Sequence, residues 1–251
     1  MRHYANPIFS NVETTSSYTS ENTATYQGIT IKTLILLGIA GIVGVLCGIL
    51  LDRTNSLGLY IGVTIASVII GFISIILGRT NPKRSMVCGV IYSICEGAVL
   101  GMITLIADYY YKGIAVIAVA STATIFCVCL SLFACGAMRN VSTLRSILIL
   151  TLCSIIAVSL VVFVMALFNI DGSGSVIKNY IGIVIFLELL YVLYGCIMLF
   201  FNFNEATSYV QNGATKDFEW MAAFGFLVSI LYIYLEMIRL LLIIMRYTRR
   251  D

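Results

Sequence analysis

Trp220–Tyr247 reads WMAAFGFLVSILYIYLEMIRLLLIIMRY, an almost unbroken apolar stretch that nevertheless holds Glu236 and Arg239. It exceeds the roughly 20 residues that a helix needs to cross a bilayer. A charge at the bilayer centre costs roughly 2.5 to 3.5 kcal/mol on insertion scales, so charges retained there face a protein interior, a water-filled cavity or each other. Such a helix needs partners, and the rest of the chain reads as the wrapping that supplies them.

Composition agrees. The chain has 251 residues, 60% hydrophobic and 11% charged, with a mean hydropathy of +1.02. Soluble domains carry about 25% charged residues, so too few are present here to cover a water-facing surface. Two prolines and long apolar runs, without strict alternation, point to helices rather than a barrel. The expected class is an all-α integral membrane protein. A net charge of +3 gives no reason to expect a nucleic-acid partner.

A polar stretch, Met1–Thr30, precedes the apolar part and lacks the basic start, short apolar core and cleavage site of a signal peptide. Residues 31–251 form the expected membrane domain, with the lipid bilayer as its partner. Seven stretches there are near or above spanning length: Thr33–Leu51, Leu57–Leu77, Met86–Ala107, Gly113–Met138, Leu144–Phe168, Tyr180–Phe203 and Trp220–Met245. The breaks fall at Asp52-Arg53, Gly78 to Arg84, Asp108 to Lys112, Arg139 to Arg145 and Asp171-Gly-Ser-Gly. Most are short, so consecutive helices are expected to pack antiparallel. Gly41, Gly44 and Gly48, with Gly97 and Gly101, stand at spacings that let helix backbones approach.

Lys and Arg placement bears on orientation. With the N-terminus inside, the inner segments carry Arg2, Lys32, Arg79, Lys83, Arg84, Arg139, Arg145 and Lys216, and the outer loops Arg53, Lys112 and Lys178. That asymmetry favours a cytoplasmic N-terminus. Arg246, Arg249 and Arg250 oppose it, since seven complete spans put them outside. Either that tail violates the rule or one of the last two segments stops short of crossing.

Eight cysteines lie mostly inside apolar runs, without a C-x-x-C pair, and the one histidine is His3. This pattern points away from zinc and toward thiols used as small hydrophobes. With no base beside a nucleophile and no phosphate-binding glycine loop, the chain is not expected to be an enzyme.

The ionisable residues within the spans are Glu96, Glu188, Glu236 and Arg239. Glu236 and Arg239 are three apart, so they share a helix face and can pair. Asn212-Gly213 is a strong turn signal between the last two spans. If both helices run up to it, Glu188 lies 25 residues before Gly213 and Glu236 lies 23 after. At about 1.5 Å per residue the two carboxylates are then level across an antiparallel hairpin, with Arg239 about one turn away. A proton held in such a cluster responds to pH. Asn202, Asn204 and Glu205 sit at the other end of span six. Asn202 is 14 residues from Glu188, on the same face about 21 Å away, and either lines the far mouth of a path or forms a polar collar.

Several stretches resemble bacterial members of the Bax inhibitor-1 family: Asn6–Asn11 (NPIFSN), Ala24–Thr33 (ATYQGITIKT), Tyr92–Gly101 (YSICEGAVLG), Met138–Arg145 (MRNVSTLR), Glu219–Val228 (EWMAAFGFLV) and Ile233–Leu241 (IYLEMIRLL). The resemblance implies seven transmembrane helices with the C-terminal one central, in a bacterial plasma membrane. It also implies a pH-sensitive calcium leak governed by an acidic pair on the last two helices. The last-helix acid matches Glu236. Its partner falls at Asn202 or Asn204, so an amide stands where the leak branch has aspartate. Calcium takes six to eight oxygen ligands, and Glu236 with Asn202 is the expected calcium-contacting pair, the Asn carbonyl offering less charge. Glu188 or Glu205 is the candidate to replace the missing acid.

Three functions compete. The first is a proton-modulated leak for calcium or other cations, which needs no resident cofactor. The second is an interaction protein modulating a membrane protease, its contact surface in the polar tail. The third, a substrate transporter, calls for inverted halves and interrupted helices, and neither is visible.

Overall fold

The computed structural model describes residues 23–54, 57–136, 141–168 and 181–248. The tail through residue 22, Arg139, the Asp171-Gly-Ser-Gly break, Lys178, Arg249 and Arg250 lie outside them. The described residues form seven helices and no strand: α1 Tyr26–Thr54, α2 Leu57–Thr80, α3 Pro82–Tyr110, α4 Ile114–Ala134, α5 Val141–Phe168, α6 Ile181–Gln211 and α7 Asp217–Thr248. Six of them, α1 to α4, α6 and α7, are long and apolar enough to cross a membrane, and α5 holds a shorter apolar run, Ser146–Ile156. The protein is a multi-pass membrane protein.

Local chemistry sets the helix ends. Thr25 Oγ1 accepts from Gly28 N at 3.0 Å, an N-cap bond that starts α1 inside the stretch expected to be tail. Asn81 caps α3, accepting from Lys83 N at 3.1 Å, with Pro82 in the first turn. Gly213 takes φ 63°, closing α6 as glycine after a helix end does. The α6–α7 connection is therefore a tight turn. Helix α6 runs past Phe203, the expected end of span six, because its polar residues find partners within the fold, as described below.

Outward faces are apolar, as lipid contact requires. On α2, Ile61, Ile65, Val68, Phe72, Ile73 and Ile76 are all exposed. Inside, three apolar clusters hold the helices together. One joins Leu36 of α1, Cys88, Tyr92 and Leu100 of α3, and Phe224 and Leu227 of α7. The rings of Tyr92 and Phe224 meet edge-on at 5.4 Å. A second joins Cys129 of α4, Leu199, Phe200 and Phe203 of α6, and Phe226 and Ile233 of α7. The third packs Ala107, Ile114 and Ala118 at the α3–α4 connection on Ile238 of α7. Helix α7 contributes to all three, and it packs on α1, α3, α4 and α6 with a lighter touch on α2.

Chain order does not dictate the neighbours as short breaks suggest. Helix α2 packs on α3, and α6 on α5 and α7, but α1 packs chiefly on α3 rather than on α2. Glycine explains this. A Cβ on Gly97 would overlap the Ala40 carbonyl, and one on Gly101 would overlap the Gly44 carbonyl. The two backbones touch where the residues carry a hydrogen or at most a methyl group. The cysteines also depart from the simple core reading: Cys88, Cys95 and Cys129 are buried, whereas Cys127, Cys135 and Cys153 are exposed.

Gly101→Leu should therefore force α1 from α3 and lower stability by about 1–3 kcal/mol or more. Gly41→Leu, with nothing within 4 Å of its Cβ, should leave thermal unfolding in detergent near wild type. Equal melting of the two variants would refute the contact.

Candidate functional site

Helices α6 and α7 form an antiparallel hairpin about the Gly213 turn, and glycines on each make room for side chains of the other. A Cβ on Gly195 of α6 would come 2.6 Å from Ile233 Cγ1 of α7, so only glycine fits. Two turns before Gly195 stands Glu188, and one turn after Ile233 stands Glu236.

Both carboxyls are buried, Glu188 at 7% exposure and Glu236 at 3%. The hairpin sets them level on facing helices, Glu188 25 residues before Gly213 and Glu236 23 after it, close enough for each charge to act on the other. Two carboxylates cannot share that geometry fully ionised, so the arrangement calls for one proton held between them. Arg239 adds a counter-charge: its Nη1 donates to Glu236 Oε2 at 3.0 Å and to Oε1 at 3.3 Å. The guanidinium is about half exposed, with Glu236 beneath it. The ring of Tyr232, one turn earlier, meets Tyr194 of α6 edge-on at 5.8 Å. Glu188 Oε2 is buried with no hydrogen-bond donor against it. An orphan oxygen beside a shared proton is a place where a proton or cation gains more than water can.

The pair does not sit at mid-bundle. Glu236 is 19 residues from Asp217 but 12 from Thr248, so about 28 Å from one helix end and 18 Å from the other. Glu236 thus lies about 5 Å past the midpoint of α7, on the side away from the α6–α7 turn, and Glu188 stands 7 residues from the same end of α6.

The other expected residues fall elsewhere. Asn202 is buried between α6 and α7, its Nδ2 donating to Gly225 O at 2.9 Å and to Ser229 Oγ at 2.6 Å. Those partners lie 7 and 11 residues before Glu236 in α7, an offset of about 10–16 Å. Asn202 therefore meets α7 about two to three turns from Glu236, whereas Glu188 is the α6 carboxyl level with it. Asn204 Nδ2 donates to Phe200 O of its own helix at 2.9 Å. Glu205 Oε1 accepts from Tyr209 at 2.5 Å. Glu96 on α3 bears electrostatically on Tyr92 and Cys95 of its own helix. Among the described residues no group of three His, Cys, Asp or Glu is placed to hold a metal ion.

A second polar cluster escaped the reading of single spans. Glu219, in the first turn of α7, is 3% exposed. Its Oε1 accepts from Thr25 N at 2.8 Å and Thr25 Oγ1 at 3.0 Å, and its Oε2 from Lys32 Nζ at 2.7 Å. Lys32 also lies over the Trp220 ring at 4.9 Å, and Ala24 N donates to Ala214 O at 2.7 Å. Any Cβ at Gly28 would overlap the Glu219 carboxylate. The start of α1 is thereby fastened onto the α6–α7 turn. Its signal was available as a buried-length span with a lysine near one end and a glutamate near another, but no spacing rule links positions 187 apart.

A family model described as Bax inhibitor 1 like matches residues 6–246 of the chain. No curated protein matches it.

Two expectations follow from these clusters. Glu219→Ala leaves Lys32 without its partner and should cost about 3 kcal/mol, read as faster amide exchange at Thr25 and Gly28. For the carboxyl pair, the held proton keeps the two charges from opposing each other, and that relief is lost as pH rises through its release. Wild-type melting temperature should therefore fall with rising pH, and the double variant Glu188→Gln/Glu236→Gln should show a flatter profile. Parallel profiles would remove the shared proton from the account.

Proposed function

The chain belongs to the Bax inhibitor 1 like family, and from that membership we propose that it is a membrane leak for cations, calcium among them, regulated by the protonation of Glu188 and Glu236. The observation that carries this reading is the two buried carboxyls level across the α6–α7 hairpin, with Arg239 beside Glu236. Holding one proton, the pair carries a single negative charge that Arg239 balances. Without that proton it carries two, repels itself across the α6–α7 seam and presents carboxylate oxygens to a passing cation. Calcium here is cargo, met in passing by a few oxygens rather than caged by six to eight.

The architecture that goes with this function has all seven helices crossing, with α7 central. The contacts of α7 with five other helices support it, as does the burial of Ala222–Leu227 without a break. Asn202 with Ser229 then forms the next polar step along the seam toward the α6–α7 turn, with Asn204 and Glu205 nearer the exit. Glu96 is a candidate station on the opposite side, in α3. The N-terminus faces the cytoplasm of a bacterial cell, and the far end of α7, with Arg246, faces outward. We assign no enzymatic activity.

A second reading, an interaction protein modulating a membrane protease, draws on the fastening of residues 23–25 to the α6–α7 turn. That junction holds residues 23–25 at one face of the bundle, where a partner can meet them.

Calcium flux into liposomes containing the purified protein separates these readings. The wild type should leak calcium with a rate that depends on pH. Glu236→Gln, which keeps a hydrogen-bonding group but cannot ionise, should change the rate severalfold and flatten the pH profile. Unchanged flux in that variant removes Glu236 from the mechanism, and no flux above protein-free liposomes in the wild type leaves the interaction reading.

A further inference from the structure

Helices α2 and α3 are both long and apolar enough to cross the membrane and meet in a tight corner, so that corner stands where bilayer gives way to water. Three cations gather there within six residues: Arg79 in the last turn of α2, and Lys83 and Arg84 in the first turn of α3. All three are exposed, and among the described residues none of them enters an ion pair. Their own helices offer no counter-charge nearby. Helix α2 has no acidic residue, and the first in α3 is Glu96, 12 residues beyond Arg84 and about 18 Å along the axis. A Cβ on Gly78 would overlap the Phe224 ring, which sets the corner beside the first two turns of α7. The carboxylates at that end are already engaged, Glu219 by Lys32 and Glu205 by Tyr209.

The corner is fastened from within. Buried Ser85 donates its hydroxyl to Gly78 O at 2.6 Å, tying the start of α3 to the end of α2. Below the cations the surface is apolar and open. Ile76 and Phe72 stand three and seven residues from Arg79, on its face of α2, and Val87 and Ile91 stand three and seven residues from Arg84, on its face of α3. All four are exposed. Positive charge above an apolar face, repeated on two adjacent helices, fits a molecule with an anionic head and long apolar tails.

We propose that the α2–α3 corner binds an anionic phospholipid, its phosphate held by Arg79, Lys83 and Arg84 and its acyl chains laid along the two faces below. Each guanidinium offers phosphate oxygens a planar fork, and Lys83 adds a point charge. A zwitterionic lipid brings the same phosphate together with a cationic group, which three uncompensated cations repel. A free phosphate ion answers the cations and leaves the apolar faces untouched, whereas a lipid covers both. The site lies at the α6–α7-turn end of the bundle, and its occupation asks nothing of ion conduction.

The test uses the full chain, purified in detergent and offered phosphatidylglycerol or phosphatidylcholine with identical acyl chains, the bound lipids being counted by native mass spectrometry. The wild type should retain phosphatidylglycerol in preference to phosphatidylcholine. Arg79→Gln, Lys83→Gln and Arg84→Gln should each weaken that preference roughly fivefold, the ratio that corresponds to one basic residue at an anionic surface, and the triple variant should abolish it. Lys112→Gln, which removes a cation from the α3–α4 connection at the other end of α3, should leave it unchanged. In nanodiscs, phosphatidylglycerol with a photoreactive acyl chain should crosslink to wild-type peptides of α2 and α3 that contain Phe72, Ile76, Val87 or Ile91. Equal retention of the two lipids by the wild type, an equal loss in Lys112→Gln, displacement of the lipid by excess inorganic phosphate, or crosslinks confined to other helices overturns the proposal. The crosslinking needs only the wild type, so it decides the matter even where a glutamine variant fails to fold.

Discussion

Six consecutive residues of α7, Ala222–Leu227, are buried. Successive residues of a helix point about 100° apart, so a run of six leaves no side open. Everything else in the fold follows from having to cover such a segment. The small side chains Ala222, Ala223 and Gly225 let neighbours come close, and Phe224 and Phe226 reach into two different clusters. A lipid-facing helix has no reason to be built this way, because lipid covers an apolar face without help. In a membrane the hydrophobic effect does not drive helices together, so contact must come from shape and from polar bonds. Both are concentrated on α7: glycine-mediated approach at Gly195, the Asn202–Ser229 bond, and the two carboxylate clusters at Glu219 and Glu236.

Those polar bonds divide by task. Asn202 satisfies both its donors within the α6–α7 seam and looks like reinforcement. Glu219 has three donors around it, the lysine among them, which leaves nothing for a ligand to complete. The Glu188–Glu236 pair is different in kind. It brings two acids together where one acid and one base would have been easier to bury, and it leaves an oxygen without a donor. A buried polar atom left without a partner in the folded protein calls for an explanation.

Much of this could be read before any coordinates. Seven apolar stretches appear as seven helices, because length and apolarity are local properties. The level placement of Glu188 and Glu236 also came from local facts, the Asn212-Gly213 turn and the constant rise of a helix. Two things were out of reach. Helix ends were misjudged wherever a polar residue had a distant partner: Thr25 starts α1 early against Glu219, and Asn202 does not end α6 because Gly225 and Ser229 receive it. The preference of α1 for α3 over α2 was likewise hidden, since a stripe of glycines announces close contact without saying with whom. Resemblance implies an acid near Asn202 or Asn204, where this chain has an amide, and Asn202 instead spends its Nδ2 on Gly225 and Ser229.

The bond between Lys32 and Glu219 has one more implication, for the order in which the protein is made. Its two ends are 187 residues apart. The ribosome delivers the lysine with the first span and the glutamate only with the last. Through the whole of synthesis α1 sits in the membrane with an unanswered cation near its end and a bare glycine face at Gly28. Its anchoring is completed only when α7 arrives. The final helix thus completes the anchoring of the first, and the fold closes on itself only at the end of synthesis.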